Sequence, residues 1–309
     1  QNRNMNVWYR LDFLDEKIFG PNNGSELQPE KVSDKDFLTK RYTHQLQSDW
    51  KLDNRLDVHA ALSYQDYKRR TRTTESDLST GEKWLSSAEA SQDITQYKAW
   101  IARATVAWNI APEFSVQPGV EYQWTQGEGG GIDGTPKVSD LAFFLSAEYK
   151  PWEWLSLRPG VRTFIVADYD APIAIPSVLT KFKLTKHMDL RLSYAYGFRS
   201  PTLQELYFSF HNDNHDIDGN PDLKAEYSHN ITGSVAYRVL HSEKIHLTTT
   251  LSGFYNDFRD KISLAQNVDI PNYNTYYNID RYKTVGGSLE NSLSWGGLRA
   301  NLNVSLIGR

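Results

Sequence analysis

The 309-residue chain contains no cysteine. Disulfides, thiol catalysis and cysteine-rich metal sites are therefore excluded together. The sequence also lacks a run of about 18 apolar residues, which is the length that a membrane-crossing helix needs. Its formal net charge is only −4, and lysine and arginine form no stripe, so nucleic acid is not an expected partner. What the chain does have is many aromatic residues, with 18 tyrosines and 9 tryptophans.

Apolar and polar residues alternate through most of the chain. A clear example follows the Asp53-Asn54 turn, where one face would carry Leu56, Val58, Ala60, Leu62 and Tyr64. Alternation with a period of two predicts strands that have one apolar face. The pattern recurs about 12 or 13 times and no linker interrupts it, so we predict an all-β fold.

The connections between these strands alternate in length. Short turns are expected near residues 53, 111, 151, 187, 242 and 296. Long loops are expected at 14–38, 68–95, 126–138, 168–175, 199–224 and 258–275. A transmembrane antiparallel β-barrel has this arrangement, with apolar residues facing lipid and a polar lumen.

Aromatic residues are expected to form a girdle at each end of the strands. Beside the short turns lie Trp50, Trp108, Trp152, Trp154 and Trp295; near the long loops lie Tyr97, Trp100, Tyr122, Trp124 and Tyr196. Two such girdles mark the two interfaces of a membrane. The alternative is that these rings pack the core of a soluble β protein.

The long segment between residues 199 and 224 has the most distinctive sequence. Long loops between strong strands are where function usually resides. Arg199, Glu205 and Asp222 are candidates for an ion-paired anchor within it. Two short motifs bound the segment: Phe198, Arg199, Ser200 and Pro201 at its start, and Asn220, Pro221, Asp222 and Leu223 at its end.

These two motifs resemble the paired FRAP (or YRAP) and NPDL (or NPNL) motifs of TonB-dependent outer-membrane receptors, especially the haem-transporting branch. Serine replaces the alanine of the first motif in this chain. The resemblance runs from about Tyr42 to the end of the sequence. It implies a receptor and transporter rather than an enzyme, with an iron-containing or metal-chelate ligand.

The same resemblance implies a larger protein around this sequence. Receptors of this family have a barrel of about 22 strands with a plugged lumen. We therefore expect residues 1–309 to be a fragment of such a barrel, without the plug domain. The chain opens on polar residues with no visible signal peptide, which fits a mature protein or a piece cut from a longer one.

The ligand is expected to bind at the long-loop end. Haem is favoured because His211 and His215 lie between the two motifs, and imidazole is a suitable axial ligand of haem iron. Arg199 is interpreted either as a loop anchor or as a ligand contact. Tyr273 and Tyr276, in the next long loop, are expected either to stack on a flat ligand or to belong to the outer girdle.

Other ligands and other classes of protein stay open. Ferric siderophore and cobalamin are the alternative ligands, while a passive porin or an outer-membrane enzyme is the alternative of another class. No intrinsic cofactor is expected, because haem or another chelate would be cargo. The expected partners are the TonB–ExbB–ExbD complex through a plug segment, outer-membrane lipid and a surface lipoprotein that delivers ligand. The expected location is the outer membrane of a diderm bacterium.

A glycine-rich segment at residues 129–134 matches the pattern GxGxxG. In nucleotide-binding proteins this pattern opens a helix that cradles phosphate. No helical pattern follows here, so the segment is predicted to be a flexible loop.

Overall fold

The computed structural model describes residues 4–21, 30–88, 91–166, 172–211, 216–242, 244–267, 270 and 272–309, apart from the side chains of Val166 and His211. Among these residues, sixteen strands form one sheet, and the prediction of an all-β fold is confirmed. No helix of the described chain is long and apolar enough to cross a membrane. In chain order the elements are β1 (Met5–Gly20), β2 (Lys31–Lys51), β3 (Leu56–Asp77), β4 (Lys83–Leu85), β5 (Ile94–Ala111), β6 (Phe114–Glu128), β7 (Lys137–Trp152), β8 (Leu155–Val166), β9 (Ile175–Thr185), β10 (Met188–Arg199), α1 (Leu203–Tyr207), β11 (Ser209–His211), β12 (Asp216–Asp218), β13 (Glu226–His241), β14 (Ile245–Gln266), β15 (Tyr273–Trp295) and β16 (Leu298–Gly308).

The thirteen longer strands follow one another as an antiparallel meander. Each pairs with its neighbours along the chain; the short strand β4 pairs with the end of β3, β12 pairs with the beginning of β15, and β11 pairs with β12. The one parallel pair in the described part is β12 with β15. Within the described residues the sheet does not close on itself, because β1 pairs only with β2 and β16 only with β15.

The short turns lie where the alternation predicts them. For example, β5 ends at Ala111 and β6 begins at Phe114, while β7 ends at Trp152 and β8 begins at Leu155. The turn near residue 53 is closed by the Asp53 carboxylate, which accepts a hydrogen bond of 2.6 Å from the Arg55 N–H. These turns bring all the long connections to the opposite end of the sheet.

The long connections consist mostly of strand residues. The prediction of loops at 14–38, 68–95 and 258–275 is therefore wrong over much of their length. Strands β2 and β3 stay paired from Lys51–Asp57 up to Lys31–Asp77. Strands β14 and β15 likewise stay paired up to Gln266–Asn274. Beyond the apolar band both faces of these strands are polar, so alternation disappears while the backbone hydrogen bonds continue.

The two faces of the sheet differ as predicted. One face presents large apolar side chains to the surroundings, such as Leu46 at 44%, Leu62 at 42% and Leu251 at 60% exposure. Such an extended exposed apolar surface marks contact with a membrane or a partner. We call this the outward face, and the opposite, polar face the luminal face. Tyr97 is an exception to the predicted girdle, because it shares the luminal face with its cross-strand partner Tyr67.

Most of the buried apolar residues of the described chain lie at the long-loop end. They pack around α1 and the segments that follow it, on the luminal face, and include Ile132, Leu203, Leu206, Leu223, Ala225 and Ile262. This small core fixes a loop structure above the polar interior. It therefore positions the candidate site.

Candidate functional site

A short helix begins directly after the first sequence motif. Thr202 is the N-cap of α1, and its hydroxyl accepts a hydrogen bond of 3.2 Å from the Glu205 N–H. The Glu205 carboxylate in turn accepts a bond of 2.8 Å from the Thr202 N–H. This reciprocal capping box satisfies two otherwise free donors. It turns the chain so that Leu203 and Leu206 face the local core.

Arg199 joins this helix to strand β13. Its guanidinium donates to both carboxylate oxygens of Glu205, at 2.9 and 3.2 Å, and to Glu226 at 3.0 Å. The same Glu226 oxygen accepts a bond of 3.1 Å from the Ile262 N–H. Burial alone would raise the pKa of Glu205, but Arg199 and the Thr202 N–H outweigh it and hold that pKa below its usual range. The predicted anchor therefore exists, with Glu226 in the place expected for Asp222.

The second motif docks onto the first through Asn220. The Asn220 N–H donates to the Glu205 carbonyl at 2.8 Å, and its side-chain amide donates to the Tyr276 carbonyl at 2.9 Å. Its side-chain oxygen accepts from the Asp222 N–H at 2.9 Å. Asp222 is itself exposed. The asparagine thus connects α1, its own turn and strand β15.

Close packing around α1 leaves no room for a side chain at Gly219. A Cβ atom there would lie 2.7 Å from the carbonyl carbon and oxygen of Leu206. Beside this contact, Leu206, Leu223 and Ile262 form a buried apolar cluster, against which Tyr276 packs. The two motifs are therefore parts of one folded unit, which we call the motif anchor: residues 199–206 and 219–226.

Tyr276 and Tyr273, both predicted to contact ligand, have protein contacts of their own. Burial raises the pKa of Tyr276, and the nearby charge of Glu205 raises it further. Burial also raises the pKa of Tyr273, which is hydrogen-bonded to Asp218. Tyr276 supports the motif anchor, and Tyr273 supports the parallel pairing of β12 with β15. Nothing in these contacts tests ligand stacking, which stays a prediction.

The glycine-rich segment folds into a turn that is hydrogen-bonded to the residues after α1. Ile132 forms isolated antiparallel β-bridges with Gly129 and with Phe208. The Ser209 N–H donates a hydrogen bond of 2.5 Å to the Gly131 carbonyl. Gly131 has a φ of 83°, and a Cβ atom there would lie 2.8 Å from the Phe208 ring. The prediction of a flexible loop missed this role, since only the tertiary contact reveals it.

A cavity of about 1100 Å³ opens on the luminal face between this turn and the sheet. Its wall is formed by strands β2, β3 and β5, and its roof by the glycine-rich turn and the residues after α1. Three aromatic rings contribute to it: Phe37, Phe208 and Phe210. A large, partly aromatic concavity of this kind is the usual form of a small-molecule site.

Two polar groups of the wall have no hydrogen-bond partner among the described residues. They are the Nε atom of Arg69 and the hydroxyl of Thr73. Thr73 as a whole residue is only 3% exposed. The Arg69 guanidinium stacks over the Phe37 ring, 4.4 Å from its centroid. Buried polar groups are normally paired, so this part of the wall is suited to a ligand that brings acceptor oxygens.

Two of the three carboxylates that line the cavity, Glu75 and Asp93, are already bound within the protein, while the third, Asp133, is exposed. Glu75 accepts hydrogen bonds from the Trp84 indole at 3.1 Å and from the Ser86 hydroxyl. Asp93 accepts from the Gly130 N–H at 2.6 Å and from the Thr95 hydroxyl at 3.2 Å. These bonds shape the wall and leave Arg69 and the exposed Lys35 as the charged donors available in its described part.

His211 and His215, the two histidines predicted to bind haem iron, are described only in part or not at all. His215 lies outside the described residues, and for His211 only the backbone is described, paired with Asp216 in β11 and β12. His211 directly follows Phe210, which lines the cavity. Among the described residues no group of three or more histidine or acidic side chains could hold a metal ion.

Comparison with known proteins identifies the family. The family model "TonB dependent receptor-like, beta-barrel" matches residues 1–307. A Haemophilus influenzae relative, "Hemoglobin and hemoglobin-haptoglobin-binding protein C", is 38% identical over 82 residues, which is 26% of this chain and 7% of that protein. The matched segment is thus a small part of the relative's length.

Solved structures share the fold at low identity. The FrpB iron transporter of Neisseria meningitidis superimposes with a TM-score of 0.69 at 15% identity, covering 97% of this chain and 50% of that chain. The Serratia marcescens hemophore receptor HasR, solved with its hemophore HasA and heme, has a TM-score of 0.58 at 15% identity, covering 90% and 54%. This chain belongs to the TonB-dependent receptor family and corresponds to its β-barrel part. Members of that family are transport receptors of the outer membrane.

Proposed function

We propose that this chain forms the ligand-capturing wall of a receptor that takes up haem across the outer membrane. The observation that carries the proposal is the luminal cavity, which combines aromatic rings with a buried guanidinium nitrogen and a hydroxyl that lack partners among the described residues. Haem is a flat aromatic molecule with two carboxylates, so it complements both kinds of group. The printed name of the Haemophilus relative, a haemoglobin-binding protein, supports the same ligand class.

Ferric siderophore and cobalamin are the competing ligands. A siderophore would also bring acceptor oxygens to Arg69 and Thr73, and FrpB, the structural neighbour, is an iron transporter. Haem is preferred because a porphyrin ring can use several aromatic side chains at once, whereas a compact chelate uses fewer. The cavity volume of about 1100 Å³ is large enough for a ligand of that size.

The axial ligand of the haem iron is proposed to be His211 or His215. Support comes from chain position, because the Phe208–Phe210 segment that lines the cavity runs directly into His211. Arg199, Tyr273 and Tyr276 stay secondary candidates for ligand contact. The contacts of Arg199 and Tyr276 favour a structural role in the motif anchor over direct contact with the ligand. In that role the two residues would keep the neighbouring segment in place.

Transport is proposed to follow the general scheme of the family. The complete receptor would close a barrel of about 22 strands around a plug, and the TonB–ExbB–ExbD complex would supply energy through that plug. A surface lipoprotein or a secreted carrier is proposed to deliver the ligand. The complex of HasR with its hemophore illustrates the carrier type of partner.

An absorbance titration of the complete receptor in detergent tests the haem proposal. Haem and cobalamin are added separately to the unchanged receptor and to His211→Ala and His215→Ala variants. We expect a saturable shift of the haem Soret band that one of the two substitutions abolishes, because the iron loses its axial nitrogen.

His229→Ala is the matched control for this titration. His229 lies on the outward face, where it is hydrogen-bonded to Tyr194 at 3.0 Å, so its loss should leave the Soret shift unchanged. A shift that survives both loop substitutions would refute axial ligation by these histidines. No binding of haem, together with saturable binding of cobalamin or of a ferric siderophore, would refute the choice of haem.

A further inference from the structure

Two histidines face each other across the hairpin that joins β13 to β14. His241 and His246 are directly opposed in the strand register, and their ring centroids are 4.8 Å apart. Their Nδ1 atoms are 3.0 Å apart. Within the described part of the chain, this is the one pair of imidazole rings in contact with each other. The other described histidine contacts are with tyrosine or aspartate, at His44, His59 and His229.

The pair lies on the luminal face at the short-turn end of the sheet. His246 is an odd number of residues from the outward Leu251, so strand alternation places it on the opposite face. His241 shares that face as its cross-strand partner. Both histidines are exposed, so an ion from solution can reach their rings. The luminal cavity is at the other end of the sheet, which makes the pair a separate feature.

Hydrogen bonds of the turn fix the spacing of the two histidines. The Ser242 N–H donates to the Ile245 carbonyl at 2.9 Å, and the Ser242 hydroxyl accepts from the Ile245 N–H at 3.2 Å. The Lys244 carbonyl accepts a bond of 3.1 Å from the Gly296 N–H in the next turn. A fixed spacing lowers the entropy cost of bringing two groups onto one ligand.

The positive charges around the pair are bound or in water. Arg238, three residues before His241, donates a bond of 3.1 Å to the carboxylate of Asp189. Lys244 and Arg299 are exposed, and solvent and salt screen the charges of exposed side chains. A cation at the two rings would therefore meet little repulsion.

The separation of the two Nδ1 atoms fits two neighbouring positions on one metal ion. With metal–nitrogen bonds of about 2.05 Å, the observed 3.0 Å corresponds to an angle of about 95° at the metal. A tetrahedral angle would need the nitrogens about 3.3 Å apart. Angles near 90° are those of square-planar and tetragonal sites, which are typical of Cu²⁺ and Ni²⁺ with nitrogen and oxygen ligands.

We propose that His241 and His246 form a two-imidazole site for a divalent transition metal ion. Cu²⁺ is favoured over Ni²⁺ and Zn²⁺, because it binds such ligands most strongly and accepts this angle. At 3.0 Å one ring donates its Nδ1 proton to the other. Binding requires that this proton move to Nε2 of the same ring, which leaves both Nδ1 lone pairs for the metal. Water supplies the remaining ligands.

The bound ion would join β13 to β14 beside their turn. This site is independent of the ligand in the luminal cavity, because the two lie at opposite ends of the sheet. It is also distinct from the axial ligation proposed for the haem iron, which involves the histidines of the long connection.

Counting the Cu²⁺ ions bound by the complete receptor tests this proposal. The haem-free receptor in detergent is dialysed against Cu²⁺ in a buffer that contains free glycine, a chelator that competes with single imidazoles for the ion. We expect His241→Ala and His246→Ala each to lose one bound Cu²⁺ per receptor. The double variant should lose no more than either single variant, because both imidazoles serve one ion. The electron paramagnetic resonance signal that is lost should show coupling to two imidazole nitrogens.

His59→Ala is the matched control, because His59 is exposed on the same face and at the same end of the sheet. Its Nδ1 atom is bound to the Asp49 carboxylate at 2.7 Å, and its loss should leave the number of bound Cu²⁺ ions unchanged. An equal loss in His59→Ala would overturn the proposal, since any luminal histidine would then bind the ion.

Three further results would also contradict the proposal. The number of bound ions could be the same in the parent and in both single variants, or the two losses could add in the double variant, which would indicate two separate one-imidazole sites. Full displacement of Cu²⁺ by an equal concentration of Zn²⁺ would contradict the preferred metal. His241→Gln and His246→Gln keep a polar group at each position and should lose the same ion. Heat-induced unfolding without Cu²⁺, unchanged from the parent, shows that the variants are folded.

Discussion

Arg199 shows how one side chain can hold a long connection in place. Its guanidinium binds Glu205 on α1 and Glu226 at the start of β13, and Glu226 also holds the Ile262 amide. The planar fork of arginine can satisfy two carboxylates at once, which the point charge of lysine cannot do with the same geometry. The residue is therefore suited to joining three chain segments.

Arg199→Lys is expected to loosen the motif anchor by about 1–3 kcal/mol, the usual range for losing charged hydrogen bonds in a partly buried site. Amide hydrogen exchange of α1 and of Ile262 measures this opening. Arg158→Lys serves as the control, because Arg158 binds Glu148 at 3.1 and 2.9 Å near the short-turn end. Equal protection of α1 in both variants would contradict a role for Arg199 in the anchor.

The lowered pKa of Glu205 makes the motif anchor sensitive to acid. Burial opposes ionisation, but Arg199 and the Thr202 N–H outweigh it. Because the folded pKa lies below the unfolded one, this stabilisation is complete above about pH 4.3 and is lost as the pH falls through the folded value. We expect pepsin to cleave near α1 only in that acid range. Glu205→Gln should allow cleavage at all pH values where pepsin is active, and identical pH profiles for the two proteins would contradict this account.

At the level of elements, the motif anchor depends on the close approach of α1 to the second motif. Gly219→Ala is expected to cost about 1–3 kcal/mol, since its Cβ would lie 2.7 Å from backbone atoms of Leu206. The measurement is again hydrogen exchange, read at the Asn220 amide, which donates to the Glu205 carbonyl.

Gly297→Ala provides the control for this substitution, because nothing lies within 4 Å of a Cβ atom built there. Its effect on the motif anchor should be negligible. If Gly219→Ala left the Asn220 amide as protected as Gly297→Ala does, the two motifs would not be packed as a unit.

The strands could be predicted from sequence only where one face is apolar. Alternation located the turns at Ala111–Phe114 and Trp152–Leu155 because outward and luminal residues differ in polarity there. It failed for the upper parts of β2 and β3, where both faces are polar and pairing rests on backbone hydrogen bonds. Backbone hydrogen bonds leave no periodic pattern in the sequence, so periodicity cannot predict them.

The site could be predicted only in part for a related reason. The sequence motifs identified Arg199 and Glu205, which are close in the chain, but Glu226 took the place expected for Asp222. Phe37, Arg69 and Thr73 were missed, because each is an ordinary strand residue whose position in the cavity depends on the register of β2 with β3. A weak signal existed in Arg69, a charged residue on a face that alternation assigns to the lumen.

At the level of the whole molecule, the sheet separates two environments. The apolar outward face is proposed to meet lipid, and the luminal face holds the cavity under the long connections. Chain topology produces this separation, since every short turn lies at one end and every long connection at the other. Ligand capture is thus proposed at the end of the sheet where the motif anchor is folded.

The most direct measurement is the haem affinity of the complete receptor with Arg69→Gln, compared with Arg70→Gln. The two residues are neighbours on β3, but Arg69 lines the cavity while Arg70 faces outward. We predict that Arg69→Gln weakens haem binding roughly tenfold or more, the effect of losing a charge-assisted hydrogen bond, and that Arg70→Gln leaves it unchanged. Equal affinities for the two variants and the parent would contradict ligand capture in the luminal cavity.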